Sequence, residues 1–145
     1  DVIEHAAVPP VASHSNPRWL CDVKRNLNRD QVRALIDRNG YIGVNFYAGF
    51  LAADRPATIE DVVNCIDEIC QMGGAGIVGF GSDFDGIEAW PDGLASPADF
   101  PRLIEALRGR GYGEGDIAGI AGLNYWRLLK RAEACAASHI KHINK

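Results

Sequence analysis

Three short stretches of the chain are almost continuously apolar: PPVASH at 9–14, YIGVNFY at 41–47 and AGIVGFGSD at 75–83. Unbroken apolar runs of this length predict strands covered on both faces. Between the first two, NRDQVRALIDRNG places Val32, Leu35 and Ile36 on one helical face. Asn28, followed three residues later by Gln31, predicts a capping box at its start, and Gly40 a left-handed stop at its end. Between the second and third, TIEDVVNCIDEICQMGG puts Ile59, Val62, Val63, Ile66, Ile69 and Cys70 on one stripe, with Thr58 as N-cap and Gly73 and Gly74 as terminators. A long loop, FDGIEAWPDGLASPADF, follows the third strand. Helical patterns then cover 100–109, 114–121 and 124–137, Asn124 reads as the cap of the last, and 138–145 reads as a polar tail.

Strands alternating with helices across short connections imply βαβ units and a parallel sheet. A doubly wound sheet and a (β/α)8 barrel both satisfy that order. Three strands make a thin sheet for either, and the chain opens without an element's start signal. The expectation is therefore the later part of a larger α/β domain.

Length and composition narrow this further. A chain of 145 residues, 47% hydrophobic and 23% charged, suits one modest soluble domain. Its net charge is −4 and no basic stripe stands out, which argues against nucleic acid as a partner. No apolar run is long enough to span a bilayer. DVIEHAAVPP lacks the charged-then-apolar order of a signal peptide. Cys21, Cys65, Cys70 and Cys135 form no CxxC pair and read as buried free thiols in a reducing compartment, which favours the cytoplasm.

In parallel α/β folds, chemistry gathers at the carboxyl ends of the strands. Here those ends offer His14, then Asn45 within NFY, then Asp83 and Asp85 within GSDFDG. None of these suits a buried strand, so each needs a partner, and a metal would serve His14 and Asp83. The plainer alternatives stay open. A histidine at a strand end can be a hydrogen-bonded structural residue, and Asp83 and Asp85 can brace a turn closed by Gly86.

The series PVASHSN, KRNLNRDQVRAL, GYIGVNFY, VGFGSDFDGI and GLNYWRLLK resembles the membrane (renal) dipeptidase family, the M19 metallopeptidases. The likeness covers nearly the whole chain apart from the tail, with SHSN, GSDFDG and RNL, whose arginine follows the histidine by eleven residues, as its specific motifs. It implies a (β/α)8 barrel of the metallo-dependent hydrolase type, with residues 1–137 as the C-terminal part of one barrel domain. It implies a two-zinc centre that hydrolyses dipeptides, some with a C-terminal D-residue. His14 matches a histidine zinc ligand of that family. Asp83 matches the carboxylate that takes and returns a proton, and Arg25 the arginine that holds the substrate's terminal carboxylate. The chain reads DVKRNL where family members commonly read HPRNL.

Other positions carry less. Asn45 reads as an orienting residue beside the site, Tyr47 as pocket lining or packing, and Asp85 as turn or pocket. Trp19 and Trp90 read as pocket walls, Trp126 as core, and His5, His139 and His142 as structural or solvated. The family's HxD pair does not occur: the residues two places after the four histidines are Ala7, Asn16, Lys141 and Asn144. Four of the five protein ligands that the resemblance implies are thus absent, so the segment alone is expected to be inactive. The remaining barrel half is expected as the same or a separate chain, and a homodimer stays open. The rival reading is a non-catalytic accessory protein on the dipeptidase fold.

Overall fold

A computed structural model describes the backbone of residues 2–143 and the side chains of residue 3 and residues 5–136. The elements run α1 (Val2–His5), β1 (Val11–Ala12), α2 (Arg29–Asp37), β2 (Tyr41–Val44), α3 (Ala48–Leu51), α4 (Ile59–Ile69), β3 (Val78–Phe80), α5 (Phe100–Gly109), α6 (Glu114–Ala118) and α7 (Asn124–Ile143). The three strands form one parallel sheet in the order β1-β2-β3, with Val11 opposite Tyr41 and Ile42 opposite Val78. Backbone bonds carry the pairing beyond the short strand cores. Tyr41 N donates to Pro10 O at 3.0 Å, Ser15 N to Gly43 O at 2.7 Å, and Gly81 N to Val44 O at 2.9 Å. The expected βαβαβ order is therefore present, and the ladder reaches the strand ends where chemistry is expected.

Packing explains the central strand. Every residue from Tyr41 to Phe46 is buried. Val32 and Leu35 of α2, and Val62, Val63, Ile66 and Ile69 of α4, close over the sheet, and Leu103 and Leu107 of α5 join the same core. On α4 the buried face also takes in Cys65, while Ile59 and Cys70 are half-buried at its margins. Phe46 is the aromatic hub, with ring centroids 6.1 Å from Phe80, 5.6 Å from Phe84 and 6.4 Å from Phe100. These edge-to-face contacts bind the segment after β3 to the end of β2.

The helix ends combine agreement and correction. The Asn28 capping box is formed: Gln31 N donates to Asn28 Oδ1 and Asn28 N to Gln31 Oε1, both at 2.9 Å. The left-handed residue after α2, however, is Asn39 (φ 48°), not Gly40. Gly40 is needed for space, since a Cβ there would lie 2.4 Å from Pro10 O. Gly73 does take the left-handed conformation after α4, at φ 96°.

The last helix differs more. α7 continues to Ile143, so residues 138–143 are helical where a tail is expected; the side chains of His139 and His142 lie outside the described residues. Asn124 is a tie rather than a cap, because its buried amide donates to Ala75 O and Val78 O, both at 2.8 Å. That inward phase, shared with Leu128, turns Trp126 outward. Trp126 is 55% exposed, beneath Lys130, and is not core. Cys21 and Cys65 are buried free thiols as expected, Cys70 is half-buried, and Cys135 is exposed. Among the described residues no helix is long and apolar enough to cross a membrane.

The start of α4 has a testable ionic lock. Asp61 accepts from Thr58 N at 2.9 Å and from both Arg55 terminal nitrogens at 2.9 and 2.5 Å. The Arg55 hydrogen bonds hold its carboxyl below the usual carboxylate range, against the opposing effect of burial. A lowered folded-state pKa gives stability at neutral pH that is lost as pH falls through the carboxylate range. Asp61→Asn is expected to cost about 1–2 kcal/mol at pH 7. Urea unfolding of both proteins at pH 7 and pH 3 should show that difference shrinking in acid.

Candidate active site

The sheet brings its three carboxyl ends together. His14, Arg25, Tyr47, Phe50, Asp83 and Glu88 line a cavity of about 290 Å³ there. His14 is half-buried, and its Nδ1 lies 2.8 Å from Ser13 Oγ, so Nε2 is the ring nitrogen left to act. Arg25 is exposed, as is Lys24, but its guanidinium is tethered. Its guanidinium donates to His14 O at 2.9 Å and to Ser15 Oγ at 3.0 Å, which fixes it across the segment after β1. Two of its five N–H donors are engaged there, leaving others for an anion.

Asp83 sits in the left-handed region at φ 61°, where a short polar side chain is tolerated at a cost of about 1 kcal/mol. Its backbone carbonyl accepts from Gly86 N at 2.9 Å, closing a turn over Phe84 and Asp85. Its Oδ2 accepts from Asn45 Nδ2 at 3.3 Å. A Cβ on Gly86 would stand 2.5 Å from Asp83 Oδ1, so the glycine makes room for the carboxylate. Asp83 therefore both starts the turn and faces the cavity. Asp85 is exposed and does not line the cavity.

Asn45 is the orienting residue. Beyond its bond to Asp83, its Oδ1 accepts from Tyr47 N at 2.6 Å. Its backbone N donates to Asn16 Oδ1 at 2.8 Å, and Asn16 Nδ2 returns a bond to Asn45 O at 3.0 Å. Asn26 adds a further buried amide, donating to Cys21 O and Phe50 O, both at 2.9 Å. Tyr47 OH donates to Glu88 Oε1 at 3.0 Å, and that bond raises the tyrosine's pKa.

Asn16 and Glu88 are the residues that sequence reasoning missed. Asn16 lies inside SHSN and had a signal, a polar amide beside an apolar strand. Glu88 lies in an irregular loop, where spacing carries none. Two expected pocket walls lie elsewhere: Trp19 donates to Glu68 at 2.7 Å and stacks under Arg29, and Trp90 is exposed and outside the cavity lining.

A zinc ion takes three or four protein donors in most sites. Among the described residues no group of three His, Cys, Asp or Glu side chains is placed to hold a metal. His14 and Asp83 offer a partial donor set, so the described residues do not make a metal centre by themselves.

The chain is 41% identical over 134 residues to an uncharacterized protein in the pqqA 5' region of Klebsiella pneumoniae, covering 90% of this chain and 49% of that protein. It is 36% identical over 140 residues to an uncharacterized dipeptidase of Schizosaccharomyces pombe, covering 94% and 33% of the two chains. It is 30% identical over 132 residues to dipeptidase 3 of Macaca fascicularis, covering 91% and 27%. The chain thus spans half or less of the length of these curated relatives. Among solved structures, it is 32% identical to a metallo peptidase from Rhodobacter sphaeroides liganded with a phosphinate mimic of the dipeptide L-Ala-D-Ala, with a TM-score of 0.84 over 90% of this chain and 38% of that one. The probable dipeptidase PvdM from Pseudomonas aeruginosa, 22% identical, shares the fold at a TM-score of 0.86 over 92% of this chain and 47% of that one. The family described as membrane dipeptidase, peptidase family M19, matches residues 1–142, and the chain belongs to it.

Proposed function

We propose that the full-length protein is a zinc-dependent dipeptidase that hydrolyses the peptide bond of dipeptides, and that this segment supplies one wall of its site in a (β/α)8 barrel. The observation that carries this reading is the meeting of His14 and Arg25, both from the segment after β1, with Asp83, from the segment after β3, at one cavity. A planar fork beside a carboxylate suits a substrate with a free C-terminus and a proton to be moved. The likeness to a metallo peptidase liganded with an L-Ala-D-Ala mimic supports a C-terminal D-residue as acceptable. Free thiols at Cys21 and Cys65 favour a reducing compartment such as the cytoplasm.

Each residue has a role in this reading. Arg25 receives the terminal carboxylate on its unengaged N–H groups and sets the substrate's register. Asp83 accepts a proton from the attacking water and returns it to the leaving amine, while Asn45 and the glycine at 86 keep its carboxylate aimed into the cavity. His14 gives Nε2 as one metal donor, and the remaining donors come from residues beyond this segment. Two zinc ions, when bound, supply Lewis acidity and an activated water. The partial donor set also favours a second reading for residues 1–145 alone: an inactive fragment.

Three measurements on the full-length protein test this. Asp83→Asn should lower kcat about a hundredfold or more with little change in KM, since it removes proton transfer and keeps the shape; unchanged kcat would remove Asp83 from the chemistry. Gly86→Ala keeps every ionisable group and crowds Asp83 Oδ1, so kcat should fall by about tenfold or more. Arg25→Lys should narrow the preference for a free dipeptide over its C-terminal amide by about tenfold. An unchanged preference would mean that the carboxylate is held elsewhere.

A further inference from the structure

Glu88 is a cavity-lining carboxylate to which the reading above gives no task. It stands on the loop after β3, five residues beyond Asp83, and is exposed where Asp83 is half-buried. Among the described residues its side chain is met by the Tyr47 hydroxyl, which donates to Oε1 at 3.0 Å. Tyr47 is itself fixed: its backbone N donates to Asn45 Oδ1 at 2.6 Å, and its ring stands edge-on to Phe50 with centroids 4.7 Å apart. The carboxylate is therefore held at the cavity rim by a neutral donor that leaves its negative charge in place. The other charged groups on this wall are Arg25, which is tied to the His14 carbonyl and Ser15 hydroxyl and in the reading above takes the terminal carboxylate, and Asp83, which accepts from Asn45.

We propose that Glu88, positioned by Tyr47, selects dipeptides that carry a cationic side chain and disfavours those that carry an acidic one. This rests on the dipeptidase reading and deepens it. The scissile bond belongs deep in the cavity beside Asp83. A lysine or arginine side chain extends several ångströms outward, which brings its charge to the rim where Glu88 waits. A carboxylate side chain in the same place meets like charge.

The test compares kcat/KM of the full-length wild type, Glu88→Gln, Glu88→Lys and Tyr47→Phe on Lys-Ala, Ala-Lys, Ala-Ala, Glu-Ala and Ala-Glu. Thermal melting confirms that the exposed substitutions fold. The wild type should prefer a lysine-containing dipeptide over its glutamate counterpart, and the two sequence orders tell which residue faces the rim. Glu88→Gln should reduce that ratio about three- to fivefold, the scale of a solvent-exposed ion pair. Glu88→Lys should invert it, and Tyr47→Phe should shift it in the same direction as Glu88→Gln by a smaller factor. A ratio unmoved by both Glu88 variants, while Ala-Ala is still cleaved, would overturn the selection and leave the dipeptidase reading standing. Cleavage of none of the five by the wild type would overturn both.

Discussion

The site depends on a lattice of buried amides. The Asn16 side chain makes both hydrogen bonds to the Asn45 backbone, donating to its O and accepting from its N, and the Asn45 side chain then reaches both Asp83 and Tyr47. These groups are buried, at 1% exposure for Asn16 and 0% for Asn45, so each unmade bond would cost the full desolvation of the group. That penalty fixes the spacing of the strand ends more firmly than the short sheet ladder can. A parallel sheet of three strands supplies the platform, and the amides turn its edge into a defined geometry.

The proposed function rests on that arrangement. Arg25 is tied to the backbone carbonyl of His14, so the groups proposed to receive an anion and a metal are joined by a hydrogen bond. Asp83 is held in a backbone conformation that costs energy, with a turn, an amide and an absent Cβ all keeping it there. A strained residue kept beside a cavity is consistent with the proton-transfer role proposed for Asp83.

Much of the fold was legible because its signals are local. The Asn28–Gln31 box, the α4 stripe and the 100–109 helix follow from spacing and capping alone. The convergence of His14, Arg25 and Asp83 was legible from strand order together with the family motifs. What escaped reading is set by tertiary contact. Gly40 answers to the Pro10 carbonyl, not to its own φ, and Asn124 answers to the carbonyls of Ala75 and Val78. Trp126 lost its place in the core because Asn124 fixes the helix phase, and no periodicity count weighs one buried amide against one indole. Glu88 enters the site through a loop path that no spacing rule describes.

In the proposed function this wall belongs to a metal-dependent peptidase site of which His14 is part. Native mass spectrometry of the full-length protein, wild type beside His14→Ala, tests it most directly by reading polypeptide mass and bound metal together. The account predicts two zinc ions on the wild type and a lower occupancy on the folded variant. A wild type without metal, or a variant that keeps both ions, would contradict it.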